Sequence, residues 1–156
     1  MVTSTLVEME SVLGPKGKKV FMTTGISLAI IVTALLAYQY YRIEELINQA
    51  EDEVQKNRYK HLSVQAAAVL GIHVITMLMV PVDALNYNGH NVWVAWAIQS
   101  SGAVATILNA ILAAQIQSVG SDNELRSVSL SSVAMQVVAN MLMLALIFRV
   151  RINKEE

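Results

Sequence analysis

The sequence predicts an all-α integral membrane protein: four transmembrane helices in an up-down bundle, with a short N-terminal helix and an amphipathic extension after the first span. Three observations carry this expectation. Of the 156 residues, 54% are hydrophobic and only 15% charged, against about 25% charged in an ordinary soluble domain. The apolar residues are gathered into blocks free of carboxylate, lysine and arginine, near 20–41, 62–82, 92–117 and 128–148. Each block is long enough to cross a hydrocarbon core of about 30 Å as a helix rising about 1.5 Å per residue. Small and polar side chains recur at helical spacing inside the blocks, as expected where membrane helices face one another. The domain reading is an N-terminal amphipathic segment, 1–19, followed by a four-helix transmembrane domain, 20–156.

In the N-terminal segment Thr5 and Glu8 are spaced as a capping box, Leu6, Met9 and Leu13 share one side, and Gly14-Pro15 is expected to end the helix. A cleavable secretory signal puts positive charge ahead of a short apolar core. Here Glu8 and Glu10 come first, Lys16, Lys18 and Lys19 follow, and the next apolar run is of full spanning length. It therefore reads as a retained first span. That span closes on Tyr38, Tyr40, Tyr41 and Arg42, an interfacial anchor pattern.

Beyond it, Ile43, Leu46, Ile47, Ala50 and Val54 recur at helical spacing among Glu44, Glu45, Glu51, Asp52, Glu53 and Lys56. No glycine or proline lies between Gly25 and Gly71, so nothing chemical stops the first helix at the membrane surface. The expectation is a helix projecting through residue 54 with an extended return over 55–61, its apolar stripe docking on another protein. The competing geometry is a bend along the interface.

The second span carries Gln65, Val69, His73, Thr76 and Val80 on one quarter of its circumference, and Pro81 with Asp83 is expected to end it. Asn88-Gly89 reads as a turn, and Tyr87, Trp93 and Trp96 as an aromatic belt. At 100° per residue the third span places Gln99, Gly102, Ala103, Thr106, Asn109, Ala110, Ala113 and Gln117 together, with Trp96, Val104, Ile107, Leu108, Ile111 and Leu112 mostly elsewhere. The fourth, capped by Ser121 or Asp122, places Ser129, Ser132, Gln136, Asn140 and Met143 on one face, away from Leu130, Val137, Met141, Leu144 and Phe148. Basic residues are nearly balanced between the two ends of the spans. Lys16, Lys18 and Lys19 abut the first span directly, which favours cytoplasmic termini.

The candidate site is an interhelical polar network of His73, Gln99, Thr106, Asn109, Gln136 and Asn140. An unpaired amide in hydrocarbon is costly, so these side chains should face one another or another subunit. The same residues could line a polar path, although pumps and ion-coupled carriers normally need ionisable groups in mid-span. His61, His73 and His90 do not converge at metal-ligand spacing within the chain. His90 with Asp83 suits only a metal site completed by another chain. Ser100-Ser101 and Ser131-Ser132 have no adjacent base, and no phosphate loop or dinucleotide fingerprint occurs. No catalytic residue, metal ligand or cofactor is assigned.

A net charge of −1 without a long basic run argues against nucleic acid, and the absence of cysteine rules out disulfides. The expected partners are the lipid bilayer and other membrane protein subunits. The leading functional expectation is an accessory or structural subunit of a multi-subunit membrane complex. The alternatives are a small channel or transporter protomer with a polar path along spans 2–4, and a non-catalytic subunit of a membrane-bound metal-dependent oxidase or oxygenase.

Overall fold

The computed structural model describes the backbone of residues 2–85, 92–119 and 122–152, and the side chains of 23–79, 96–119, 122–142 and 144. The chain is all-helical: α1 (Val2–Gln49), α2 (Glu53–Leu85), α3 (Val92–Val119) and α4 (Asn123–Ile152). Three stretches, Thr23–Gln49, Glu53–Met79 and Trp96–Val119, are long and apolar enough to cross a membrane. The chain thus has the make-up of a multi-pass membrane protein. Helix α1 packs on α2 and α4, and α3 packs on the same two, so the helices form a ring. Cross-helix bonds pair rising residue numbers with falling ones. On α1 and α2 they join Ala29 to His73 and Glu44 to Ser63; on α3 and α4 they join Gly102 to Asn140 and Asn109 to Ser132.

Three element boundaries differ from those expected. Helix α1 runs unbroken through Gly14-Pro15, so the N-terminal helix is not a separate element. A proline removes one bond from the ladder and bends the axis, but it does not oblige the flanking residues to leave the helix. Residues 55–61 return as helix rather than as extended chain. Asp52 makes this possible: its Oδ1 accepts the Val54 amide at 3.2 Å and its carbonyl accepts the Lys56 amide at 2.9 Å, so α2 starts almost at once after α1 ends. Helix α2 then continues past Pro81 and Asp83 to Leu85. The Asn88-Gly89 turn, Tyr87 and His90 lie outside the described residues, as do the side chains of Val80, Asp83, Trp93 and Met143.

The helical return changes the reading of the amphipathic stripe. Ile43 and Ile47 are buried in one cluster with Tyr59 and Leu62 of α2, and Leu46 and Ala50 pack against that cluster. Only Val54 is exposed. The apolar sides of the two hairpin arms are buried against each other and against Ile116 of α3 and Leu125 of α4 in the same cluster. The stripe expected to dock a partner is therefore covered by the chain itself.

Most buried positions recur at alternating steps of three and four. They are Ala29, Val32, Leu36, Gln39 and Ile43 on α1, and Tyr59, Leu62, Ala66, Val69, His73 and Thr76 on α2. On α3 they are Ile98, Gly102, Ala105, Asn109, Leu112 and Ile116, and on α4 Leu125, Ser129, Ser132, Gln136 and Ala139. This is the 3.5-residue repeat of helices packed as a coiled coil, not the 3.6-residue period of a straight helix. The difference corrects the face assigned to α3. Gly102, Asn109 and Ala113 are inside as expected, but Ala103 and Ala110 are exposed, and Leu112, expected on another face, is fully buried.

Polarity is partly inverted relative to a soluble bundle, with polar side chains sharing the interior with apolar ones. Gln39, Asn109, Ser129, Ser132 and Gln136 are fully buried, while Ile30, Val64, Ile107 and Met141 are 60–70% exposed, one on each helix.

Near the helix ends joined by residues 50–52, Arg42 ties α1 to α4. Its Nε and Nη2 both donate to Asp122 Oδ2, at 3.0 and 2.7 Å, and Nη1 reaches Glu45. Asp122 also caps α4, its Oδ1 accepting the Leu125 amide at 2.9 Å. Burial pushes the Asp122 carboxyl up; the Leu125 amide and the Arg42 guanidinium, both bonded to its ionised form, outweigh burial and hold it below its ordinary value. A depressed pKa contributes stability that is complete above the unfolded value of about 3.9 and is lost as pH falls through the folded one. Asp122→Asn keeps the cap and removes the charge. It should lower the thermal midpoint by a few degrees at pH 7, and the gap to the wild type should close below about pH 4; unfolding followed by circular dichroism across pH 7 to 2 reads this.

Candidate functional site

The 3.5-residue repeat carries amide and hydroxyl side chains into the interior at several levels. At the most buried level Asn109 Nδ2 donates to Gln136 Oε1 at 2.9 Å and to Ser132 Oγ at 3.1 Å. Ser132 Oγ in turn has two acceptors in reach, Ser129 O at 2.8 Å and Gln39 Oε1 at 3.1 Å. The layer thus links α1, α3 and α4. Gln39 and Asn109 have no exposed surface, and Gln136 retains 1%.

A second level binds α3 to α4 through Asn140. Its Nδ2 donates to Gly102 O at 2.9 Å and to Thr106 Oγ1, which itself donates to Gly102 O at 2.9 Å. Gly102 lets the Asn140 amide approach closely. A Cβ at this position would lie 2.8 Å from Asn140 Oδ1, nearer than atoms can pack.

Two further contacts join α2 to its neighbours. His73 Nε2 lies 3.3 Å from Ala29 O on α1, and Thr76 Oγ1 lies 2.8 Å from Ser101 Oγ on α3. Toward the Asp122 end Gln117 and Arg126 exchange bonds of 2.7 and 3.0 Å, fastening the end of α3 to the first turn of α4.

Of the six residues expected to form one network, the structure brings together Asn109 with Gln136, and Thr106 with Asn140. His73 is buried but bonds separately to α1, and Gln99 is half-buried and joins none of these bonds. Sequence reasoning missed Gln39, which was absorbed into the Tyr38–Tyr41 anchor pattern. Its signal was present in the spacing Val32, Leu36, Gln39, Ile43, which a 3.5-residue reading would have placed on the inner seam. Ser132 was assigned to the right face, but not recognised as the hinge of the layer.

Chemically the layers are neutral dipoles. Asn109 Oδ1 and the Nε2 atoms of Gln39 and Gln136 are buried with no partner among the described residues. No group of three His, Cys, Asp or Glu side chains suited to a metal occurs among the described residues. Such an interior can set helix register and can hold a small uncharged hydrogen-bonding molecule.

Interhelical hydrogen bonds in membranes average about 0.6 kcal/mol, with a maximum near 1.7. Asn109→Ala removes two of them and strands Gln136 Oε1, so a loss of about 1–2 kcal/mol is expected in reversible unfolding from mixed micelles. Gly102→Ala should gain about 1 kcal/mol of helix propensity when Asn140 is also alanine, and lose that gain when Asn140 is present to be displaced. A double-mutant cycle measures this coupling, and additivity of the two changes would contradict the close approach. Compared with family models, curated proteins and solved structures, the chain matches none.

Proposed function

We propose that the chain is an accessory or structural subunit of a larger membrane protein complex, with all four helices crossing the bilayer as an up-down bundle and the termini in the cytoplasm. The observation that carries the reading is the inverted polarity: interior amides and hydroxyls bond one another across helices, and apolar side chains cover the outside of every helix. A bundle of this kind offers other proteins packing surface rather than chemistry. For the fourth crossing, the support is the charge-free block 128–148 and the exposure of Leu130, Val138 and Met141. For the alternation of direction it is the pairing of rising with falling residue numbers at the cross-helix bonds.

Support for a neighbouring helix comes from the outer face of α2. Ala67 and Gly71, four residues apart, are both exposed, and a Cβ on Gly71 would meet nothing within 4 Å. Small residues at this spacing let a second membrane helix approach closely.

A second reading, a small channel or transporter protomer, is favoured by the unpartnered amide atoms of Gln39, Asn109 and Gln136 in the interior. It requires pure protein in liposomes to pass a solute, and Asn109→Ala or Asn140→Ala to alter that flux.

Mild-detergent purification from native membranes should recover the chain in fixed stoichiometry with other subunits. Gly71→Leu should leave its thermal midpoint unchanged or raised while releasing the partner; a wild-type chain that purifies alone as a stable monomer sinks the accessory reading. Because the chain contains no cysteine, single-cysteine labelling tests the crossings cleanly. Glu51→Cys and Asn123→Cys should react from one side of the membrane, and Ser4→Cys and Lys154→Cys from the other.

A further inference from the structure

We propose that the layer of Gln39, Asn109 and Gln136 is a binding site for internal water that bridges the amides of α1, α3 and α4. The layer leaves two NH2 groups, on Gln39 and Gln136, and one carbonyl oxygen, on Asn109, without a partner among the described residues. All three residues are at most 1% exposed. An unmet polar group in an apolar interior costs enough that it is normally bonded to something.

The hydrogen count identifies the ligand. Ser132 has one hydroxyl hydrogen but two acceptors in reach, Ser129 O and Gln39 Oε1. Turning the Gln39 amide over lets its nitrogen donate to Ser132 Oγ and frees the Ser132 hydrogen for Ser129 O alone. The unmet groups then become two oxygens, on Gln39 and Asn109, the second hydrogen of the Gln39 NH2, and the NH2 of Gln136. In both orientations donors and acceptors are mixed. A cation would face at least one N–H, and an anion at least one carbonyl oxygen. Water carries two hydrogens and two lone pairs and typically makes about three bonds when buried, so it can serve the donors and the acceptors of this layer together.

The bonds from Ser63 to Glu44 and from His73 to Ala29 bracket Gln39 on α1, which sets it level with the turn of α2 bearing Ser63 and Ala66. Both are buried, and the Ser63 hydroxyl is committed to Glu44. The larger buried side chains of α2 on either side, Leu62 and Val69, are apolar and offer the amides no hydrogen bond. The inference concerns the bundle interior and stands apart from the accessory role, so the failure of either leaves the other in place.

The test is water-edited, proton-detected NMR on the full chain in phosphatidylcholine bilayers, with glutamine and asparagine side chains labelled with nitrogen-15. Magnetisation should pass from water to the side-chain amides of Gln39 and Gln136 with a build-up comparable to that of exposed Gln49. Resolved Gln39 and Gln136 signals that receive nothing from water overturn the site. Transfer of equal strength to every amide from Asn140 to Gln117 overturns it as well, since that pattern marks a continuous water column. Ala66→Leu enlarges the α2 side chain at this level and should extinguish the transfer at Gln39 while sparing the Asn140 signal; undiminished transfer in the folded variant refutes the position. Should that variant not fold, the wild-type spectrum alone decides.

Discussion

The arrangement depends on one constraint: the amides of Gln39, Asn109, Gln136 and Asn140, inside this bundle, bond to groups on other helices. The outer surface is apolar around the whole ring, so burial of apolar area distinguishes the inner face only weakly from the outer one. Directional bonds do distinguish them. Asn109 reaches across to Ser132 and Gln136, Ser132 to Gln39, and Asn140 to Gly102 and Thr106. A rotation of α3 by one position would trade Asn109 for Ala110 and leave several amides stranded at once. The bonds are individually modest, but the penalty for breaking the set falls on every alternative packing.

Close approach and hydrogen bonding reinforce each other at Gly102. Its missing side chain makes room for the Asn140 amide, and its carbonyl oxygen accepts that amide. The repeat of three and four then carries the same logic along the bundle. Positions that in a soluble coiled coil would be leucine or isoleucine are here divided between such aliphatic residues and alanine, glycine, serine, asparagine and glutamine. Such a seam is narrow, and helices that share it can lie close.

The ends are organised differently. The hairpin of α1 and α2 has a conventional apolar core, with Ile43, Ile47, Tyr59 and Leu62 buried under a charged exterior. Its outer side meets α4 through Arg42 and Asp122. Asp122 serves two purposes, as the cap that starts α4 and as the carboxylate that fixes α1. One residue thereby sets both where a helix begins and which helix it leans on. The molecule has an amide interior along its apolar stretches, joined to a water-type core where the hairpin carries its charges.

The sequence by itself determined the helical class, the four apolar blocks, the inward side of α4 and the presence of amides that had to be paired. Composition and charge-free length carry that information directly, because each span is decided by local hydropathy. Only the tertiary structure decided the rest. The inner face of α3 was misassigned at Ala103, Ala110 and Leu112, since a helix apolar on both sides offers no amphipathic contrast and the true period is set by winding against neighbours. Gln39 was overlooked for the same reason: its meaning comes from Ser132, 93 positions away. The apolar stripe of Ile43 and Ile47 read as a docking surface because nothing local reveals that Asp52 starts a second helix folding back over it. Local chemistry specifies which segments are helical and which groups need partners; identifying the partners takes the packing of the helices against one another.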